Sequence, residues 1–183
     1  MSNKIWEFTG ETKIHLGTTL NRIRAAVEFK LKCGIVIAKG ELGGWIEKES
    51  NLSGNAWVSG NAYVYGNAWV SGTAEVSGNA KVYGNAKVSG NAEVSGNAWV
   101  CGDARVYGNA WVKSSEDYCV YKNTWSSFRW FTYTKSNKMW SVGCFYGTGS
   151  ELIAKAYKDS EKSGKCYEAI VKAQEAIEKA MEA

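Results

Sequence analysis

The chain has no proline, one histidine (His15) and only five cysteines among 183 residues. Cys33, Cys101, Cys119, Cys144 and Cys166 are scattered without a CxxC pair, so neither a zinc ribbon nor a disulfide framework is indicated, and free thiols are expected. No apolar run approaches the length of a bilayer span, and Met1–Thr9 lacks the basic and apolar blocks of a signal peptide. A cytoplasmic protein with no membrane partner is expected. A charge of one sign is also scarce. The net +4, from 22 basic against 18 acidic residues, is too small to mark a nucleic-acid binder without a localised patch. Nucleic acid is therefore not an expected partner.

What is present is repetition, announced by 20 glycines and nine tryptophans. From Ser53 to Val112 the chain reads SGNAWV, SGNAYV, YGNAWV, SGTAEV, SGNAKV, YGNAKV, SGNAEV, SGNAWV, CGDARV and YGNAWV without a gap. Extended backwards, the aliphatic slot takes Leu52 and Ile46, which completes a series ending at Val112. A period of six with one aliphatic and one small residue does not suit an amphipathic helix, whose apolar positions recur at three to four residues; a short strand and a turn fit. Val and the Ala two residues before it point inward, and the residue between them points outward. Gly and Asn both tolerate left-handed backbone, so the pair suits a corner at every hexad, with the Asn amides stacked into ladders. The expected fold is mainly β: a single-stranded left-handed β-helix of about four triangular coils over 46–112. An N-terminal strand cap over 1–45 precedes it, and a C-terminal β-hairpin with a helical tail over 113–183 follows.

The hexad pattern resembles the repeat of left-handed β-helix acyltransferases and carbonic anhydrases over about a third of the chain. GELGGWIEKESNLSGNAWV, the GNAxV array and VGCFYGT together resemble a family of phage and prophage hexapeptide-repeat proteins over nearly its whole length. The second resemblance implies a viral origin and no particular activity. The first implies a histidine base or a three-histidine zinc site, and this chain has only His15, outside the array. No GxSxG elbow or GxxxxGK loop is present, and Thr73 is the one threonine of the array, too few for an ice-binding lattice. Cys144 has no placed histidine partner to activate it as a nucleophile. No metal, cofactor or catalytic residue is expected.

In the flanks, 4–16 and 20–30 read as strands, and SSFRWFTYT and KMWSVGCFYGT read as an aromatic hairpin turning at Lys135, Ser136 and Asn137. The tail from Ser150 reads as two helices broken near Ser163 and Gly164. Tyr167, Ile170, Gln174, Ile177 and Met181 form a stripe for packing on the same chain or on a second copy.

Residues eighteen apart stack, which sorts the outward positions into three faces. The first carries Trp57, Glu75, Glu93 and Trp111. The second carries Trp45, Tyr63, Lys81 and Trp99 beside Glu47, Tyr65, Tyr83 and Cys101. The third carries Asn51, Trp69, Lys87 and Arg105 beside Ser53, Ser71, Ser89 and Tyr107. Five rings on the second face (Trp45, Tyr63, Tyr65, Tyr83 and Trp99) call for a cover, either a flanking segment or another subunit, with a trimer favoured; the alternative is contact with a foreign protein. On the third face the bland reading is a solvated charged sheet. The functional one is a phosphate-bearing ligand, with Lys87 and Arg105 on the anion and Trp69 or Tyr107 stacking a base. The functional expectation is a non-catalytic phage-type binding protein that antagonises a host process, such as a defence system, through a host protein or its nucleotide signal. An oligomeric virion or scaffold protein is the first alternative, and a divergent hexapeptide transferase the second.

Overall fold

The computed structural model of the chain describes residues 4–181; the first three residues of the N-terminal cap and the last two of the tail lie outside it. A hairpin of β1 (Trp6–His15) and β2 (Thr18–Ala25) leads through a small hairpin, β3 (Phe29–Lys30) and β4 (Val36–Ile37), to β5 (Leu42–Ile46). Ten two-residue strands then follow at six-residue intervals, from β6 (Trp57–Val58), β7 (Tyr63–Val64), β8 (Trp69–Val70) and β9 (Glu75–Val76) onward. The series continues through β10 (Lys81–Val82), β11 (Lys87–Val88), β12 (Glu93–Val94), β13 (Trp99–Val100) and β14 (Arg105–Val106) to β15 (Trp111–Val112). Every third strand pairs in parallel, which makes a β-solenoid of about four turns with three sheets: β6-β9-β12-β15, β5-β7-β10-β13 and β8-β11-β14.

The interior is the alternation itself. Every array Ala and Val is buried, at 1% exposure or less. Burial of each Val stabilises the fold by roughly 1.5–3 kcal/mol at most. The corner glycines adopt φ between 61° and 75°, and a Cβ on Gly72 would lie 2.8 Å from the Gly90 carbonyl oxygen. Close coil stacking therefore demands glycine there as firmly as the dihedral does. The Asn beside each Gly does not take left-handed backbone, against expectation. Its role is the ladder alone: Asn61–Asn79–Asn97, Asn67–Asn85–Asp103 and Thr73–Asn91–Asn109 run along the three edges, with bonds of 2.7–3.5 Å.

Both ends are closed. β2 pairs antiparallel with β5 (Asn21 opposite Ile46), so the hairpin extends the second-face sheet beyond the first coil. The expected second strand stops at Ala25 rather than Lys30, because the chain bends there and runs across the first face. At the far end the rung N–H groups have no next coil. In the body Trp57 N–H donates to the Ala74 carbonyl at 3.0 Å. In the last coil the N–H groups of Trp99, Arg105 and Trp111 donate to the hydroxyls of Ser115 (3.2 Å), Thr132 (2.8 Å) and Ser136 (2.7 Å). One hydroxyl closes each face.

Those hydroxyls belong to a C-terminal body. The expected hairpin is the centre of a four-stranded antiparallel sheet, β16 (Tyr118–Lys122), β17 (Trp130–Thr134), β18 (Met139–Val142) and β19 (Phe145–Gly147). It packs under α1 (Gly149–Asp159) and α2 (Glu161–Met181) around Phe131, Trp140, Leu152 and Val171. The helices part at Ser160, earlier than Gly164 suggested. Ser160 is extended, and its hydroxyl accepts from Ser163 N–H at 3.1 Å as a cap. Gly164 lies inside α2, where the Tyr157 ring occupies the space a side chain would need. The helical stripe packs on its own chain through Tyr167, Ile170 and Gln174, then runs out into exposed Ile177 and Met181.

Candidate functional site

All five cysteines are free. Among the described residues no group of three or more His, Cys, Asp or Glu side chains is placed to hold a metal ion, and no described helix is long and apolar enough to cross a membrane.

The first face is partly covered by the chain itself. Trp57 is buried beneath Phe29, with ring centroids 5.2 Å apart, because the segment after β2 lies over it. Between that segment and the solenoid runs a cleft of about 400 Å³ over Asn55, Thr73, Glu75 and Asn91, walled by Val27, Phe29 and Leu31. Burial pushes the Glu75 carboxyl above the usual range, opposed by the Lys32 backbone N–H and reinforced by Glu93 one rung away.

On the second face, the chain's own hairpin supplies half of the cover. The β1–β2 register slips between Phe8 and Thr12, where Gly10 takes φ 87°, and beyond that bulge the strand reaches back over the rings. Lys13 Nζ sits 3.8 Å from the Trp45 ring centroid and 4.1 Å from that of Tyr63, and donates to the Tyr63 hydroxyl at 2.9 Å. His15 packs edge-on to Tyr63 and Tyr65; burial, then the charges of Lys81 and Lys13, lower its pKa. Trp45 is only 6% exposed, so it is not free to meet another subunit. Partly open are the half-buried stacked pair Tyr65 and Tyr83, 5.1 Å apart and parallel, and half-exposed Trp99 beneath Lys81; Ile14 and Leu16 are exposed at the hairpin tip, on positions that alternate with Lys13 and His15. A hydrogen bond with the Cys101 side chain, helped by burial, pushes the Tyr83 hydroxyl up to about 12.

The third face is where charge gathers. Lys87 and Arg105 are adjacent rungs, and Lys87 Nζ lies 5.9 Å from the Trp69 ring centroid. The C-terminal body adds residues that the face-sorting argument could not place. Buried Asn123 organises the loop after β16: its carbonyl oxygen accepts from Trp125 and Ser126 N–H, and its amide donates to the Ser126 and Ser127 hydroxyls. That loop delivers Arg129 and Trp130 opposite the last two rungs. Arg105 Nη1 donates to the Gly143 carbonyl at 2.6 Å, and Arg129 Nη1 lies 3.2 Å from where a Gly143 Cβ would stand. Two guanidiniums therefore converge on one glycine. With Asn85, Lys87, Asp103 and Trp130 they line an open groove of about 190 Å³. Among the described residues no carboxylate pairs with Lys87, Arg105 or Arg129.

Of the four third-face residues singled out from sequence, Lys87 and Arg105 thus line the groove. Trp69 is exposed one rung away and outside the lining, and Tyr107 lies on the far side, its carbonyl accepting from the Tyr146 hydroxyl at 3.2 Å. The aromatic wall is Trp130 instead, with Lys122 Nζ 5.1 Å from its ring centroid. Its signal in the sequence was the FRW triplet, in which an arginine immediately precedes a strand that opens on a tryptophan.

Two stretches, residues 56–72 and 98–114, match the YdcK β-solenoid repeat. No curated protein shows a significant match to the chain. The matched stretches lie within the coils and amount to well under half of the chain, so what it shares with that family is a β-helix repeat.

Proposed function

We propose that this chain is a non-catalytic binding protein that takes a phosphate-bearing ligand in the groove between the third solenoid face and the C-terminal sheet. The observation that carries this reading is the convergence of Arg105 and Arg129 at Gly143, with Lys87 one rung away and, among the described residues, no carboxylate paired with them. Like charges held close repel, by about 1 kcal/mol in solvent, and an oxyanion relieves that cost while matching the planar donors of guanidinium. Arg105 spends one N–H on Gly143, which aims the group and leaves its other donors for a ligand. The resemblance to phage and prophage proteins supports a role against a host process, by sequestering a nucleotide signal or by occupying a host protein that presents phosphate.

Calorimetry with inorganic pyrophosphate at low salt tests the site directly. Wild type is expected to bind and a Lys87→Glu, Arg129→Glu double variant to lose binding with its melting temperature kept, since both side chains point outward. Equal affinity in the two proteins sinks the reading. Capture from a host lysate, with the denatured complex screened for released small molecules, then identifies the natural occupant.

The second face supports a separate reading, self-association through exposed Trp99 and the half-buried pair Tyr65 and Tyr83, which stay partly open after the hairpin has covered Trp45.

A further inference from the structure

Of the three edge ladders, only the one along the cationic groove ends in a carboxylate. Asn97 and Asn109 close the other two as amides, whereas Asp103 closes the column of Asn67 and Asn85. The ladder does not need that charge. Asn85 Nδ2 donates to Asp103 Oδ1 at 3.3 Å, and an amide oxygen accepts the same bond from Asn79 at 3.2 Å and from Asn91 at 3.0 Å. Nor is Asp103 held by a direct ion pair: among the described residues no cation bonds to it, although Arg105 and Arg129 line the same groove.

A carboxylate beside three cations opposes a bare oxyanion and favours a ligand that brings hydrogen-bond donors along with its phosphates. Resting on the anion-binding reading above, we infer that the occupant is a nucleotide. Its phosphates lie between Lys87, Arg105 and Arg129, its hydroxyl or ring N–H donors reach Asp103, and the Trp130 indole flanks the base. A carboxylate accepts two neighbouring donors at once, which a ribose diol or a purine edge supplies and inorganic phosphate does not. Trp130 is half-buried, so its ring is held in place before a ligand arrives, which lowers the ordering cost of stacking.

Calorimetry on the full chain compares inorganic pyrophosphate with ADP and GDP, in wild type and in Asp103→Asn, with thermal melts confirming that the amide keeps the ladder. At least one nucleotide is expected to bind tenfold or more tighter than pyrophosphate in wild type. Asp103→Asn is expected to lose that preference while pyrophosphate binding stays equal or improves, and intrinsic fluorescence is expected to respond to the nucleotide alone in wild type and to lose that response in Trp130→Phe. If pyrophosphate binds as tightly as both nucleotides, or if Asp103→Asn strengthens all three alike, Asp103 is a mere repulsive neighbour and the nucleotide inference falls while the anion site stands. If none of the three binds, both readings fall.

Discussion

At the scale of single residues, inward and outward positions one residue apart lead opposite lives. Val82 is fully buried in mid-solenoid, so Val82→Asp places an unpaired carboxylate among methyl groups and is expected to cost roughly 4 kcal/mol or more, giving insoluble or unfolded protein. Lys81, its outward neighbour, is half-buried with its ammonium near the Tyr63 and Trp99 rings, and Lys81→Ala is expected to cost under about 1 kcal/mol. Urea denaturation separates the two. Corner glycines allow a finer test: Gly72→Ala meets both left-handed strain, about 1–2 kcal/mol, and the Gly90 backbone, whereas Gly102→Ala in the last coil meets strain alone. The Gly72 variant should lose the more stability; equal losses would mean that stacking leaves room. Titration adds a third expectation. Tyr83 and Tyr118 are pushed from 10.0 up to about 12, Tyr83 mainly by its bond with Cys101 and Tyr118 mainly by burial. The folded chain then holds protons that the unfolded chain releases between those values. That stability is complete below pH 10 and lost as pH climbs towards 12. Melting temperatures measured from pH 9 to 12 should fall across this window, less steeply in Tyr83→Phe. The alternation and the corners were legible in the hexad because they repeat ten times; the carboxylate at Asp103 was visible too, but its meaning depended on neighbours that no periodicity supplies.

At the scale of elements, a solenoid must be stopped. Its last coil offers N–H groups to nothing unless another element answers them, and open edges of this kind invite further strands. Ser115, Thr132 and Ser136 answer them, one from the turn after β15, one from β17 and one from the β17–β18 turn. Thr132 is buried, so Thr132→Val keeps the shape while orphaning the Arg105 N–H, at an expected cost of about 1–3 kcal/mol in urea unfolding. Ser136 is exposed, water can replace its hydroxyl, and Ser136→Ala should cost under about 1 kcal/mol. If the two variants lose equal stability, the cap does not work through burial. Strand and helix content in these flanks was readable from alternation and from the apolar stripe. The helix break was misplaced because Ser160 signals its cap through geometry, while Gly164 advertises a breaker and instead makes room for Tyr157.

At the scale of the whole molecule, the three faces have different owners. The first is overlain by the segment after β2, the second is half covered by the hairpin, and the third meets the C-terminal sheet at the groove. What remains open on the second face is enough to predict self-association, since half-exposed Trp99 and the partly exposed Tyr65 and Tyr83 forgo some of the burial that contributes roughly 1.5–3 kcal/mol for a large apolar side chain. Sedimentation at micromolar concentration is expected to show an oligomer, a trimer by preference, which Tyr65→Lys with Tyr83→Lys should dissociate. A wild-type monomer would leave the face to a foreign partner.

The sequence by itself determined the solenoid: a six-residue period, repeated without interruption, leaves one way to bury Ala and Val while turning at Gly, and stacking follows from that local rule. It determined equally which side chains share a face. Only the tertiary structure decided which faces stay open and what confronts them. Lys13 over Trp45, Phe29 over Trp57 and Arg129 beside Arg105 are contacts between segments far apart in the chain and outside the repeat, where no period relates one position to another and packing alone sets the pairing.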